Sequence, residues 1–337
     1  MQYYHRIDKR RKSLSDMPTM LLTFAVCLSC WIAGYVYSIG LPVTENTSVL
    51  PFWGVLCRFF SNKAIAYSTG LFLFILPAYI MQRISDIEML ISERTRLPFM
   101  LFIMFVSTNT GLLPFGEVNI VLICIVFIIY ELFNSYQLPE ATGKMFNAGV
   151  YLGFASLFLP QILWFIPFIC IGMYQFRSIS IKSLMALLTG VTIIYWLLLA
   201  WCMLKQDFSL FHSLFSSVTG FKVFSISSLF QYYNIGFAVF LVLLTLAFFH
   251  IKMGGFNNSV RVRQMLYFLL NMSVWALIMI ILYSDNSDLF LALLYLPASV
   301  LVANFIEKIR YRFRFVLYYS ILILCCLTYI IRIWNTL

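Results

Sequence analysis

The sequence predicts an all-α fold, a polytopic bundle of transmembrane helices, and three observations carry that prediction. Apolar residues make up 62% of the 337 positions and charged residues only 11%, against roughly 45–50% and about 25% in an ordinary globular chain. Mean hydropathy is +0.91. The apolar residues are gathered into runs of about membrane-spanning length, separated by short polar segments. So few charges cannot cover a water-facing surface, and most of the chain is therefore solvated by lipid. This makes the bilayer its first partner and excludes nucleic-acid binders, cytosolic enzymes and secreted domains.

The runs fall at 18–39, 64–82, 98–113, 118–134, 147–159, 161–176, 183–204, 229–251, 265–283, 289–306 and 315–333, which is eleven candidate spans. The third to the sixth are short for a perpendicular crossing. They form two pairs, interrupted at Gly111–Gly116 and at Pro160-Gln161. If one pair or both are re-entrant hairpins, the total becomes nine or seven, because irregular backbone is tolerated at membrane depth only inside protein or against water. Charge selects among these counts. With the N-terminus inside, 18 of the 23 lysines and arginines lie in inner segments and 5 in outer ones. That is the positive-inside distribution, and it places the N-terminus inside and the C-terminus outside. Counting either broken pair as a single crossing would reverse everything after it.

Residues 1–17 are then a basic cytoplasmic N-terminus, and 18–337 a single integral-membrane domain. The Arg6 to Lys12 basic run followed by an apolar stretch resembles a secretory signal, but the stretch has the length of a full span, so it is read as an uncleaved first helix. Two outer segments carry helical apolar spacing, near 48–60 and 208–218, and are expected to lie in the interface as amphipathic helices. In the second, Phe208, Phe211, Leu214, Phe215 and Val218 form one face, and Ser209, His212, Ser213, Ser216 and Ser217 the other.

Asp, Glu, Lys and Arg are absent from almost every span centre, which argues against a proton relay, a voltage sensor or a path for charged solutes. The eight cysteines sit mostly inside apolar runs, and the three histidines, His5, His212 and His250, are far apart. No metal site and no cofactor are expected. Chemistry is sought instead at the outer face. Glu45 follows the first span, and Arg58 and Lys63 lie in the same loop. A carboxylate there can take a proton from an acceptor hydroxyl while the cations neutralise a departing phosphate, so Glu45 is the candidate catalytic residue and Arg58 and Lys63 candidate substrate contacts. Glu117, at the outer break, and His212, on the serine face, complete the candidate substrate-binding set. Asp285 and Asp288 are read as turn and capping residues.

The stretch from Lys144 to Pro160, with Asn147-Ala148-Gly149 and Gly153-Phe154-Ala155-Ser156-Leu157-Phe158, resembles a functionally uncharacterised family of polytopic membrane proteins from Bacteroidota. The likeness is clearest over residues 90–200. It implies a multi-pass protein of a bacterial inner membrane and no particular chemistry. The layout is also similar to integral-membrane glycosyltransferases that use polyprenyl-phosphate sugars: a first span, an outer acidic loop with an interfacial helix, then short paired helices. That likeness implies a polyprenyl-phosphate-linked substrate and a catalytic role for Glu45, although the acidic motif usual after the first span and an outer soluble domain are missing here. Three functions fit the sequence: handling of a lipid-linked glycan substrate at the outer face, a transporter or flippase for a neutral or amphipathic solute, and a non-catalytic scaffold for other membrane proteins. Whether the chain is an enzyme is left open.

Overall fold

A computed structural model describes residues 17–37, 60, 62–91, 95–206, 208–221, 226–254, 259–284, 286–309 and 311–336. The described residues form helices and turns. The helices are α1 (Met17–Tyr37), α2 (Lys63–Ile87), α3 (Leu97–Ser107), α4 (Glu117–Asn134), α5 (Thr142–Phe158), α6 (Phe165–Gln175), α7 (Ile181–Lys205), α8 (Ser209–Thr219), α9 (Ile226–Gly254), α10 (Val260–Leu282), α11 (Ser287–Lys308) and α12 (Tyr311–Thr336). Short 3-10 turns, Thr110–Leu112 and Pro160–Trp164, occupy the two expected interruptions. Each of the eleven apolar runs has become a helix, because in lipid a backbone must satisfy its own hydrogen bonds. Seven described helices are long and apolar enough to cross a membrane. The segment 48–60, expected as an interfacial helix, lies outside the described residues except for Phe60, whereas the 208–218 stripe is helical, as α8.

Polar contacts sort the helix ends into two groups. At one end, Glu88 after α2 pairs with Arg261 at the start of α10 at 2.7 Å, and Arg261 also lies over the Tyr136 ring after α4. The Gln137 N–H donates to the Phe176 carbonyl at 2.9 Å, joining the ends of α4 and α6. Asn304, near the end of α11, donates to the Leu90 carbonyl at 2.7 Å. Lys182 at the start of α7 pairs with Glu140 at 2.6 Å and holds the Glu140 carboxyl below the usual carboxylate range. Both partners are exposed, so that pair adds little stability. At the other end, the Phe115 N–H donates to the Ala66 carbonyl at 2.9 Å, and Asn109 reaches Asp288 at 3.0 Å.

Both broken pairs therefore go out and come back. The chain leaves the first end at Arg96, turns at 109–116 and returns at Ser135. It leaves again at Ala141, turns at 160–164 and returns at Phe176. Neither pair folds as a tight local hairpin. α3 packs on α1, α2 and α11, α4 on α2 and α5, and α6 on α10. α1 and α12 run parallel: Thr23 shares a 2.7 Å hydrogen bond with Tyr318, and seven residues further along α1 the Tyr329 hydroxyl donates to the Cys30 carbonyl at 2.5 Å.

The core is centred on α11, which is buried along almost its whole length. The most extensive helix pair is α5 with α7. Gly149 and Gly153 of α5 face Leu187, Gly190, Val191 and Ile194 of α7, so the two backbones approach without intervening side chains. Ser156 shares a 2.9 Å hydrogen bond with Tyr195 across the same seam.

At the first end, the Glu88 side chain is only 9% exposed and that of Arg261 is 49% exposed. Glu88→Ala is expected to cost about 1 kcal/mol, above a surface pair and below a fully buried one, because Arg261 keeps its water. Unfolding in detergent measures this, and an unchanged melting curve would remove the pair from the account of stability.

Candidate functional site

Polar side chains converge at the end of the bundle away from Arg261, around the turn between α3 and α4. The sequence there is Ser107-Thr108-Asn109-Thr110-Gly111, a polar run closing an apolar helix. Such residues compete with the helix for backbone hydrogen bonds, and α3 stops at Ser107. Asn109 is fully buried. Its carboxamide oxygen accepts from the Gly111 N–H at 3.3 Å, and its amide donates to Asp288 Oδ1 at 3.0 Å. A side chain at Gly111 would crowd the other Asp288 oxygen. Asp288 thus stands in the first turn of α11, where a carboxylate suits the helix dipole, and it bonds to a loop 179 residues away in sequence. The cap position of α11 belongs to Asn286. Asp285 lies outside the described residues.

The loop then lies along α2. Gly70 is required there, since any Cβ would collide with the Leu113 carbonyl and the Phe115 N–H. The Phe115 ring packs on Phe60 with centroids 4.2 Å apart. This docking brings the start of α4 close to the start of α2. Lys63, capped into its helix by Asn62, is half-buried one turn before Ala66, which holds Phe115. Glu117 opens α4 and is 7% exposed. Asn119 is 1% exposed, and its Oδ1 has no hydrogen-bond partner among the described residues. An unsatisfied buried acceptor is costly, so this is a place suited to a donor from beyond the described residues.

Lys63 and Glu117 from the expected set therefore open two helices at the same end, joined through the Phe115–Ala66 bond of the docked loop. Glu45 and Arg58 lie outside the described residues. His212 is exposed on α8, which packs against α7 and the 160–164 turn. That turn is covered. Trp164 Nε1 and the Tyr283 hydroxyl both donate to the Val218 carbonyl, at 3.4 and 2.5 Å, and Gln161 donates to the Ser217 carbonyl at 3.3 Å. Leu214 is buried, holding the apolar face of α8 against Leu198 and Cys202.

Asn109 and Asn119 carry no charge that marks them in an apolar sequence, and the Ser284–Asp288 pattern predicts only a turn and cap for Asp288. The available signal was the polar run 107–111 at the end of an otherwise apolar helix. A second buried polar group, at the opposite end, was missed as well: Gln82 donates to the Thr95 carbonyl at 2.6 Å, and Arg314 donates to the carbonyl of buried Glu307. These bonds tie turns and helix ends together.

Chemically, this end of the bundle carries two carboxylates, two carboxamides and an ammonium, of which Asn109 and Asp288 are joined directly. Such a set can hold a polar, hydroxylated headgroup and exchange a proton with it. In comparisons with known proteins, a family model described as a family of unknown function, DUF6427, matches residues 49–336. No curated protein and no solved structure matches.

Proposed function

The chain belongs to the DUF6427 family, of unknown function, and for it we propose a multi-pass membrane protein that handles a lipid-linked substrate at its outer face, with the headgroup held by the cluster around the α3–α4 turn. The observation that carries this reading is the buried Asn119 carboxamide oxygen, without a hydrogen-bond partner among the described residues and two residues from the buried Glu117 carboxylate. Lys63 supplies the cation on the neighbouring helix start. Glu45 and Arg58, which precede Lys63 in the sequence, are assigned to the same site from the sequence alone, Glu45 as the acid or base of a glycosyltransferase-like transfer. His212, on the serine face of α8, makes a peripheral contact.

The orientation in this reading is N-terminus inside and C-terminus outside, with eleven crossings. The support is the parallel run of α1 and α12, the return of both broken pairs, and the collection of Arg261, Lys182 and Arg314 at one end. A bacterial inner membrane suits that arrangement. Both helix breaks are closed by packing, with Asn109, Leu113, Pro160 and Ile162 buried. This weighs against a transport path running through them.

The test is native mass spectrometry of the full-length protein extracted with its lipids. Wild type is expected to retain a lipid class with a hydroxylated or phosphorylated headgroup in preference to the bulk membrane lipids. Glu117→Gln is expected to weaken that retention by roughly tenfold or more, the scale of one lost hydrogen bond to a charged group. Glu45→Gln should leave retention intact and abolish turnover. Retention of the bulk lipid mixture, unaltered by Glu117→Gln, would sink the reading.

A further inference from the structure

Four cysteines meet where the first and last helices touch. Cys27 and Cys30 stand about one turn apart on α1, and Cys325 and Cys326 are adjacent on α12. Two hydrogen bonds set the register of the helices. Thr23 pairs with Tyr318, and the Cys30 carbonyl accepts from the Tyr329 hydroxyl. Seven residues on from Thr23 and Tyr318, the parallel helices bring Cys30 level with Cys325 and Cys326. Cys326 also shares a face of α12 with Tyr329, three residues further on. All four side chains lie within electrostatic reach of one another. The other described cysteines, Cys124, Cys170 and Cys202, are on α4, α6 and α7.

Burial divides the four into two kinds. Cys27 is 2% exposed and Cys325 is 9% exposed, and Cys27 lies against Ser107 of α3. Cys30 and Cys326 are half-buried, and all four are free thiols. Both helices contain membrane-length apolar stretches that include these residues. Cys30 is seven residues, or about 10 Å, short of the end of α1. What reaches Cys30 and Cys326 there is lipid and whatever dissolves in it. A charge at that depth is costly, so a reaction that leaves a thiolate in the seam is disfavoured. Oxidation of two thiols to a disulfide starts and ends neutral. Its acceptor must take electrons and protons together and must dissolve in lipid, and a quinone does both.

We propose that Cys30 and Cys326 are a redox-active dithiol pair whose oxidant is a membrane quinone. Two S–H bonds break, and one S–S bond forms between Cys30 Sγ and Cys326 Sγ. Two electrons and two protons pass to the quinone, which departs as the hydroquinone. The disulfide ties the first helix to the last and closes a loop through the rest of the bundle. Such a cross-link constrains the unfolded chain most when the loop is long. Cys27 and Cys325 stay reduced, because a buried thiol is inert.

The test uses the full-length protein, reduced and freed of reductant, in vesicles of phosphatidylethanolamine and phosphatidylglycerol with or without duroquinone. Every ring position of that quinone is substituted, so thiol addition to the ring does not compete. Remaining thiols are blocked with N-ethylmaleimide, and peptides are mapped by mass spectrometry without reduction. With quinone, the Cys30 and Cys326 peptides are expected to appear joined, with loss of both blocked forms and one hydroquinone made per cross-link. Without quinone, both are expected in the blocked form. Cys30→Ser and Cys326→Ser should each abolish the joined peptide and the hydroquinone. Cys170→Ser, which changes a half-buried thiol on α6, should alter neither. Full blocking of Cys30 and Cys326 in the presence of quinone would overturn the proposal, and so would a cross-link through Cys27 or Cys325. A joined peptide formed equally well without quinone would overturn the assignment of the oxidant.

Discussion

Gly149→Leu is expected to separate α5 from α7 and to cost about 3 kcal/mol or more, the largest single-residue effect in the bundle. A Cβ at position 149 would fall onto the Leu187 carbonyl, and one at Gly190 onto the Phe146 carbonyl. Neither obstacle is the end of a flexible side chain. Both are backbone, so relief requires the helices to move apart along their whole seam. That would also stretch the Ser156–Tyr195 hydrogen bond and loosen the packing of Val191 and Ile194 on Gly153. In lipid, helix association depends on such close packing, because the tails solvate an isolated helix as well as another helix does. Thermal unfolding in detergent, followed by circular dichroism, measures the loss. Gly143→Ala is the control. Nothing lies within 4 Å of a Cβ there, so the change should be neutral or stabilising by up to about 1 kcal/mol. If Gly149→Leu and Gly143→Ala melt alike, the glycine seam does not hold these helices together.

Asp288→Ala is the second large effect, at about 1.5–3 kcal/mol. It removes the carboxylate that accepts from the buried Asn109 amide and leaves that amide without this bond inside the protein. The α3–α4 turn then loses this tie to α11 and keeps the local Asn109–Gly111 bond and its docking on α2. Asp288→Asn keeps an acceptor oxygen of the same shape and should recover most of the stability. Comparing the two separates the hydrogen bond from the charge. Protease cleavage or hydrogen exchange at residues 108–116 reads the effect locally, and the expectation is faster exchange there in Asp288→Ala than in Asp288→Asn. Equal protection in both variants would mean that the Asn109–Asp288 bond does not position the turn.

The resemblance carried by residues 144–160 acquires a physical meaning from these contacts. Gly149, Gly153 and Ser156 are the residues by which α5 meets α7. That pattern is a packing surface, which is why it points to a fold and to no chemistry. The candidate site was less legible. Glu117 and Lys63 could be named because charged residues stand out in an apolar chain. Asn109 and Asn119 could not, because an uncharged carboxamide near a helix end usually caps a turn. Their significance comes from burial and from Asp288, a partner far away along the chain.

Composition and periodicity determined that this is a bundle of apolar helices, roughly where they lie along the chain, and where the two short pairs are interrupted. These are local consequences of a solvent that cannot hydrogen-bond to the backbone. Which helices touch was decided only by the fold: that α5 lies on α7, that α1 runs parallel to α12, and that an asparagine at 109 meets an aspartate at 288. Lipid-facing and core-facing positions are equally apolar in such a chain, so no hydrophobic stripe marks the inner face. The choice is left to glycine gaps and a few buried polar pairs, whose partners become neighbours only when the chain has folded.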